Sequence, residues 1–363
     1  MSWGLVFIGF CLLIILHEAG HFVAAKATGM RAEKFFLFMG PKIVSFRRGE
    51  TEYGIAAIPI GGYVKITGMN PEEEIPPEVA HRAYYRQPVW KRIVVIAAGP
   101  AVNIALAFAI FCFAYLLYGQ QLTPRIGEVG TKTPAAKVLK SGDRILAVDG
   151  HSYRSLGSED RISRFREDIE AHKCAGEQKN GCLAATPVRL EIERNNQTQF
   201  VSVRPEYLAS VGQYLMGVTF AEKPVQFSVG AASGRALHMM WYVTHMTASA
   251  LSRLYEPKVR KQMSGIVGIS VVGHEVVDTG TYQALLMLAL VSLSLALMNL
   301  LPILPLDGGH IFWSLVEKVR GRPISLRTMY AVTGAGLAVV ALLFIIGLSN
   351  DIGRLTGEGF HIR

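Results

Sequence analysis

Residues 3–25 read WGLVFIGFCLLIILHEAGHFVAA. An apolar run of this kind leads straight into His17, Glu18 and His21, and about 20 apolar residues suffice to cross a bilayer as a helix. The segment has no basic start, and no small-residue cleavage site follows its apolar run. It therefore reads as a retained span and not as a cleaved signal peptide. On a helix, residues four apart share a face, so both imidazoles can reach one ion. Glu18 sits beside them, placed to take a proton from water, which is the HExxH pattern of zinc hydrolases. Zinc in such a site lowers the pKa of water to about 7. Two histidines and a glutamate within a span are costly unless they face a cavity or a metal. The alternative is a polar cluster that only holds helices together.

Outward from this stretch, three more segments are apolar enough to span: 93–118, 282–301 and 329–348. The composition agrees: of 363 residues 50% are hydrophobic and 18% charged, while aromatics are only 9%, so the excess is aliphatic. With a mean hydropathy of +0.30, disorder, fibrous architecture and an ordinary cytosolic enzyme are excluded. A net charge of +9 suggests nucleic acid in a polar chain, but in an apolar one it suggests basic cytoplasmic loops, and no nucleic-acid partner is expected. Eleven Lys and Arg fall within 26–92, and Lys318, Arg320, Arg322 and Arg327 lie between the third and fourth spans. The positive-inside rule thus puts both termini and the long 119–280 region outside, and 26–92 and 302–328 in the cytoplasm. Cys11 and Cys112 lie in apolar runs. Cys174 and Cys182, in HKCAGEQKNGC, either pair in an oxidising compartment or stay free, and the sequence leaves both open.

KIVSFRRGETEYGIAAIPIGGYVKITG (42–68) alternates apolar and polar residues and is punctuated by Arg48-Gly49 and Gly61-Gly62, as strands are. Strands beside a membrane active site suggest a sheet edge, here 51–67, that receives an extended peptide. NPEEEIPPE (70–78) reads as an acidic, mobile loop. From about 124 to 220 short strands (RIGEV, RILAV, VRLEIER, QFVSVRP) and a polar helix near 158–172 make a small domain. Within it GEVGTKTPAAKVLKSGDRILAVDG resembles the signature of a PDZ domain, and one such unit is present. Residues 225–262 are moderately amphipathic and suit a membrane surface. SGIVGISVVG (264–273) reads as too short and interrupted to span.

A catalytic zinc normally has a third protein ligand and one open position. Asp307, in NLLPILPLDGGH (299–310), lies at the cytoplasmic end of the third span, and the first span delivers His17 and His21 towards the same depth. Pro302, Pro305, Gly308 and Gly309 break the helix around it, and irregular backbone at membrane depth belongs where it is buried or lines a cavity. A plain helix cap by Asp307 is the alternative. His310 either approaches the metal or supports it from behind. Asn299 either binds substrate or joins helices. His238, His245, His274 and Glu275 read as surface residues, and Gly334 and Gly336 as packing positions.

HExxH in the first span, a distant LDG and a PDZ between spans resemble the site-2 protease family of intramembrane zinc metalloproteases, and within it the bacterial regulator of sigma-E protease type. The resemblance covers nearly the whole chain, and its second motif, NxxPxxxLDGG, reads Asn299, Pro302, Leu306, Asp307, Gly308, Gly309. It implies Zn2+ held by His17, His21 and Asp307, with Glu18 as general base. Gly61, Gly62, Tyr63, Val64 and Lys65 are similar to the family's membrane-associated β-loop, which pairs with unfolded substrate. AAGPAVN (97–103) resembles the family's GPxxN, which implies that Asn103 lies near the site and contacts the substrate backbone or the oxyanion. Two departures stand out: one PDZ where well-studied Gram-negative members have two, and Ser264-Gly265-Ile266 where the family often has SGP.

The expected architecture is an α-helical polytopic membrane protein of about four transmembrane helices, with a cytoplasm-side membrane-associated β-loop and an inserted extracytoplasmic PDZ domain of α+β type. Its expected parts are 1–120 (two spans, HExxH and β-loop), 121–222 (PDZ), 223–280 (linker and membrane-surface segment) and 281–363 (two spans with LDG). The expected activity is hydrolysis of peptide bonds within or near transmembrane segments, in regulated intramembrane proteolysis after a first extracytoplasmic cut. Expected partners are the lipid bilayer and single-span substrates such as anti-sigma factors or signal-peptide remnants, in the inner membrane of a bacterium. A zinc carrier without proteolysis and a PDZ-bearing membrane scaffold are the rival readings.

Overall fold

Among the described residues four helices are long and apolar enough to cross a membrane, and they fall where the apolar runs predict them: Trp3–Ala27, Val89–Tyr118, Thr281–Asn299 and Leu326–Thr356. The computed structural model describes residues 2–70, 73–131, 133–208, 213–322 and 324–356. Pro71 and Glu72 of the acidic loop, and the tail from 357, lie outside the described residues. The chain divides into two compact units: one runs to Leu116 and resumes at Ser228, and the other is Leu117–Phe227.

In the first unit, helix α1 (Ser2–Ala27) is followed by two long antiparallel strands, β1 (Ala32–Arg48) and β2 (Thr51–Ile66). Helix α2 (Val89–Tyr118) comes next. Side chains such as Phe7, Ile8 and Leu12 on α1 leave about half or more of their surface exposed. Hydrocarbon is the solvent that makes such a helix stable. At its other end α1 joins a packed cluster: Ala25, Met30, Ile66, Tyr84, Val95 and Ile96 bring α1, β2 and α2 together.

The hairpin is bent, and the bend decides which edge is free. Phe36 pairs with Tyr63 on one side and Gly54 on the other, and Gly54 in turn pairs with Ser45. The first half of β1 therefore lies between the two halves of β2. Gly61, at a φ of 67°, makes the corner in β2 that a residue with a side chain would resist. The expected edge at 51–67 is thus corrected: 51–56 is occupied by partners on both sides, and 61–66 is one outer strand, with 42–48 the other. The acidic loop is also less free than its composition suggests. Glu73 takes the Gly68 N–H at 2.7 Å and pairs with Lys65 at 2.5 Å.

The second unit is built around a sheet of β3 (Gln120–Val129), β4 (Arg144–Val148), β5 (His151–Ser152), β7 (Val188–Arg194), β8 (Gln197–Val203) and β11 (Val218–Pro224). Its order is β11-β3-β4-β7-β8, with β5 on β4. A small sheet of β6 (Cys182–Leu183), β9 (Glu206–Leu208) and β10 (Gln213–Leu215) and the helix α3 (Ser158–Glu170) complete it. The alternation of VRLEIER places Val188, Leu190 and Ile192 inside, where they pack with Ile126, Ile145, Tyr153 and Phe165. Cys174 and Cys182 form a disulfide, resolving the question the sequence left open.

From Ser228 the chain returns to the first unit. Helices α4 (Val229–Ser252), α5 (Pro257–Gln262) and α6 (Ile266–Thr279) precede the third span, α7 (Thr281–Asn299). As expected of 264–273, α6 is too short to count among the spans, but from Ile266 it is an uninterrupted helix. The start of α6 is held by a carboxylate from α9 (Leu326–Thr356), since Asp351 accepts from the Gly265 and Gly268 N–H groups at 3.0 and 2.8 Å. Gly265 and Gly347 meet too closely for a Cβ on either. Ser264-Gly265-Ile266 is therefore a capped helix start whose cap comes from a distant span. His274, read as a surface residue, packs against Trp3 with ring centroids 4.6 Å apart and the planes tilted by 58°, whereas His238 and His245 are exposed on α4.

Candidate metal centre

Helix α8 (Asp307–Arg320) starts on Asp307 after a tight turn from the end of α7. Close backbone contacts dictate the glycines here. A Cβ on Gly308 would sit 2.2 Å from the Leu300 carbonyl oxygen, one on Gly309 2.5 Å from the Leu304 nitrogen, and one on Gly336 1.8 Å from the Leu304 oxygen. Gly336 is thus a packing position, while Gly334 faces open space and is not. The cap position belongs to Leu306, and Asp307 makes no capping bond, so its carboxylate is free to point elsewhere.

It points at the two histidines. Asp307 Oδ2 lies 3.2 Å from His17 Nε2 and 3.3 Å from His21 Nε2, and the two Nε2 atoms are 3.3 Å apart. Among the described residues His17, His21 and Asp307 are the one group of three His, Cys, Asp or Glu whose ligand atoms all lie within 4.8 Å of one another. Both histidines are 7% exposed. Asp307 Oδ2 is buried with no hydrogen-bond donor. A buried carboxylate oxygen without a donor is costly, and two imidazole nitrogens with one carboxylate oxygen make a zinc donor set that leaves a fourth position open. The residues present fit zinc.

Helix α2 makes this convergence possible. Gly20 of α1 rests on the Ala98 carbonyl, where a Cβ would come within 2.5 Å of the oxygen. A Cβ on Gly99 would lie 2.3 Å from His21 Nε2 and 2.9 Å from His17 Nε2. AAGP is therefore a cradle for the imidazoles. Behind them, His21 Nδ1 donates to the Val95 carbonyl at 2.9 Å, and His17 Nδ1 lies 3.3 Å from Asn103 Nδ2. An Arg92–Glu317 pair, bonded twice at 3.0 and 2.7 Å, ties α2 to α8, the helix that carries Asp307.

Glu18 does not join the trio. Its Cγ packs against Gly62, within 3.0 Å of where a Cβ would be. The outer strand 61–66 thus lies against the glutamate at Gly62. Phe36 and Tyr63 stack with centroids 5.5 Å apart, and the Lys65 ammonium pairs with Glu33 and Glu73, so these two side chains are engaged elsewhere. Asn103 is fully buried, with its Nδ2 3.3 Å from His17 Nδ1. Asn299 ends α7, and no hydrogen bond of its side chain is seen among the described residues. His310 stays outside the trio, and burial pushes its imidazole below the ordinary value, so it stands neutral beside the site. The sequence reading missed Gly20, Val95, Arg92 and Glu317, and it held Gly99 only as part of the AAGPAVN stretch.

Comparisons with known proteins agree with this geometry. The family model described as "Peptidase family M50" matches residues 5–343. The zinc metalloprotease Rip1 of Mycobacterium tuberculosis is 32% identical over 365 residues, covering 89% of this chain and 88% of that one. Rip1 of Mycolicibacterium smegmatis is 28% identical over 400 residues, covering 97% and 98%. A solved PDZ domain of an SdrC-like protein from Listeria innocua covers 29% of this chain and 99% of that domain at 20% identity, with a TM-score of 0.21, which fixes no fold. With its family model matched over nearly the whole length, the chain belongs to peptidase family M50, the site-2 protease type of zinc metalloprotease.

Proposed function

We propose that this membrane zinc metalloprotease cleaves single-span membrane proteins within or beside their transmembrane segments, after a first cut outside. The observation that carries the proposal is the convergence of His17, His21 and Asp307 at one end of a bilayer-length helix, with Glu18 and a strand edge beside them. A helical substrate has its carbonyls engaged and must unwind locally before a peptide bond is available. Its extended backbone adds along residues 61–66, main chain to main chain. His17, His21 and Asp307 hold the zinc, which when bound supplies Lewis acidity and brings the pKa of water to about 7. Glu18, packed against Gly62 of the outer strand, takes the proton of the attacking water and passes it to the leaving amine.

The basic residues of 26–92 and 302–328 support a cytoplasmic active site in a bacterial inner membrane. The disulfide supports an oxidising, extracytoplasmic place for the inserted unit. There a PDZ domain would exclude substrates whose ectodomains have not been trimmed. Anti-sigma factors and signal-peptide remnants are substrates of the right class. In the test, the chain is co-expressed with a single-span reporter truncated outside. Wild type cleaves it, while Glu18→Gln keeps its zinc and loses at least about 100-fold in rate. Equal cleavage by both removes Glu18 from the mechanism. A metal carrier would keep its function in Glu18→Gln, and a scaffold would keep it in His17→Ala.

A further inference from the structure

The two imidazoles are each held from behind by α2, but by different means. His21 uses a main-chain carbonyl, Val95, while His17 uses a side chain, Asn103. Asn103 is 0% exposed, and its Oδ1 is buried without a partner while its Nδ2 lies 3.3 Å from His17 Nδ1. Its own carbonyl accepts from Ser292 Oγ at 2.9 Å, which fixes this turn of α2 against α7. Because the Nε2 atoms of both histidines face Asp307, a metal-binding His17 is neutral and carries its proton on Nδ1. That N–H needs an acceptor. Turning the Asn103 amide by 180° sets Oδ1 against that N–H and gives the oxygen a donor.

We infer that Asn103 is a positioning residue for zinc: its amide oxygen accepts from His17 Nδ1–H, fixing the tautomer and the aim of Nε2. A residue buried behind the ligand is closed to peptide, so Asn103 acts through His17 and not on substrate. The inference rests on the trio being the zinc site, and outer partners of this kind are worth about 10- to 100-fold in metal affinity.

The test measures zinc affinity of the full chain in detergent micelles by chelator competition, which does not depend on proteolysis. Asn103→Leu, close in shape but with no acceptor, is expected to bind zinc about 10- to 100-fold more weakly than wild type. Asn103→Asp, which keeps the acceptor, is expected to retain wild-type affinity, and the apo forms of both should melt together. A role in packing alone would lower the melting point of both variants without separating their zinc affinities. Wild-type affinity in Asn103→Leu would overturn the inference. Should that variant not fold, a tenfold loss in Asn103→Asp would do the same. A wild-type chain that binds no zinc would overturn the metal site itself, a distinct failure.

Discussion

Gly99→Ala places one methyl group where the structure has no room for it. The new Cβ would stand 2.3 Å from His21 Nε2 and 2.9 Å from His17 Nε2, about 1.1 Å inside ordinary contact at the first. The neighbours on the far side cannot absorb this. His21 is bonded to Val95 of the same helix, and Gly20 already touches Ala98, so α1 and α2 must part or the rings must turn. Either response moves a ligand atom by about 1 Å, several times the roughly 0.2 Å that a metal site tolerates. Zinc affinity should fall by at least the 10- to 100-fold that follows from losing an outer partner. Cleavage should fall by about 100-fold for the misplacement alone. Zinc stoichiometry after dialysis, chelator competition and reporter cleavage read the three consequences. Gly334→Ala is the control, because its Cβ meets nothing within 4 Å and should leave both zinc and cleavage unchanged. If Gly99→Ala holds zinc as tightly as wild type and cleaves normally, the packing that confines the imidazoles has been misread.

Other consequences can be checked in the same preparations. Asp351→Ala leaves the N–H groups of Gly265 and Gly268 without their acceptor and should destabilise the chain by about 2 kcal/mol. Asp351→Asn should recover part of the loss in thermal unfolding, and a wild-type melting point in the alanine variant would refute the cap. In the Leu117–Phe227 unit, burial alone would raise the Asp143 carboxyl, but the Arg194 guanidinium, bonded twice at 2.7 Å, and the Lys140 N–H hold it below its usual range. A carboxyl with a depressed folded pKa contributes stability above its unfolded value of about 3.9 and loses it as pH falls through the folded one. Arg194→Leu should therefore melt below wild type at pH 7, with the gap closing below about pH 4. A gap that persists unchanged to pH 3 would show that the pair contributes no pH-dependent stability.

The sequence by itself determined the spans and most of the chemistry. Hydropathy over about 20 residues is a local property, so all four long helices were legible. The i, i+4 spacing of His17 and His21 is likewise fixed by helix geometry alone. The period-2 pattern of VRLEIER placed a strand of the inserted unit for the same reason. What only the tertiary structure decided depends on which backbones come close. It showed that Asp307 aims at the histidines instead of capping α8, that Gly99 is a cradle, and that Asn103 stands behind His17. It also showed that 61–66 is an outer strand while 51–56 is not, and that Asp351 caps a helix 83 residues before it in the chain. None of these is written in a local pattern, because each joins atoms from separate helices or strands. A buried polar group takes its partner from whatever packing brings within 3 Å.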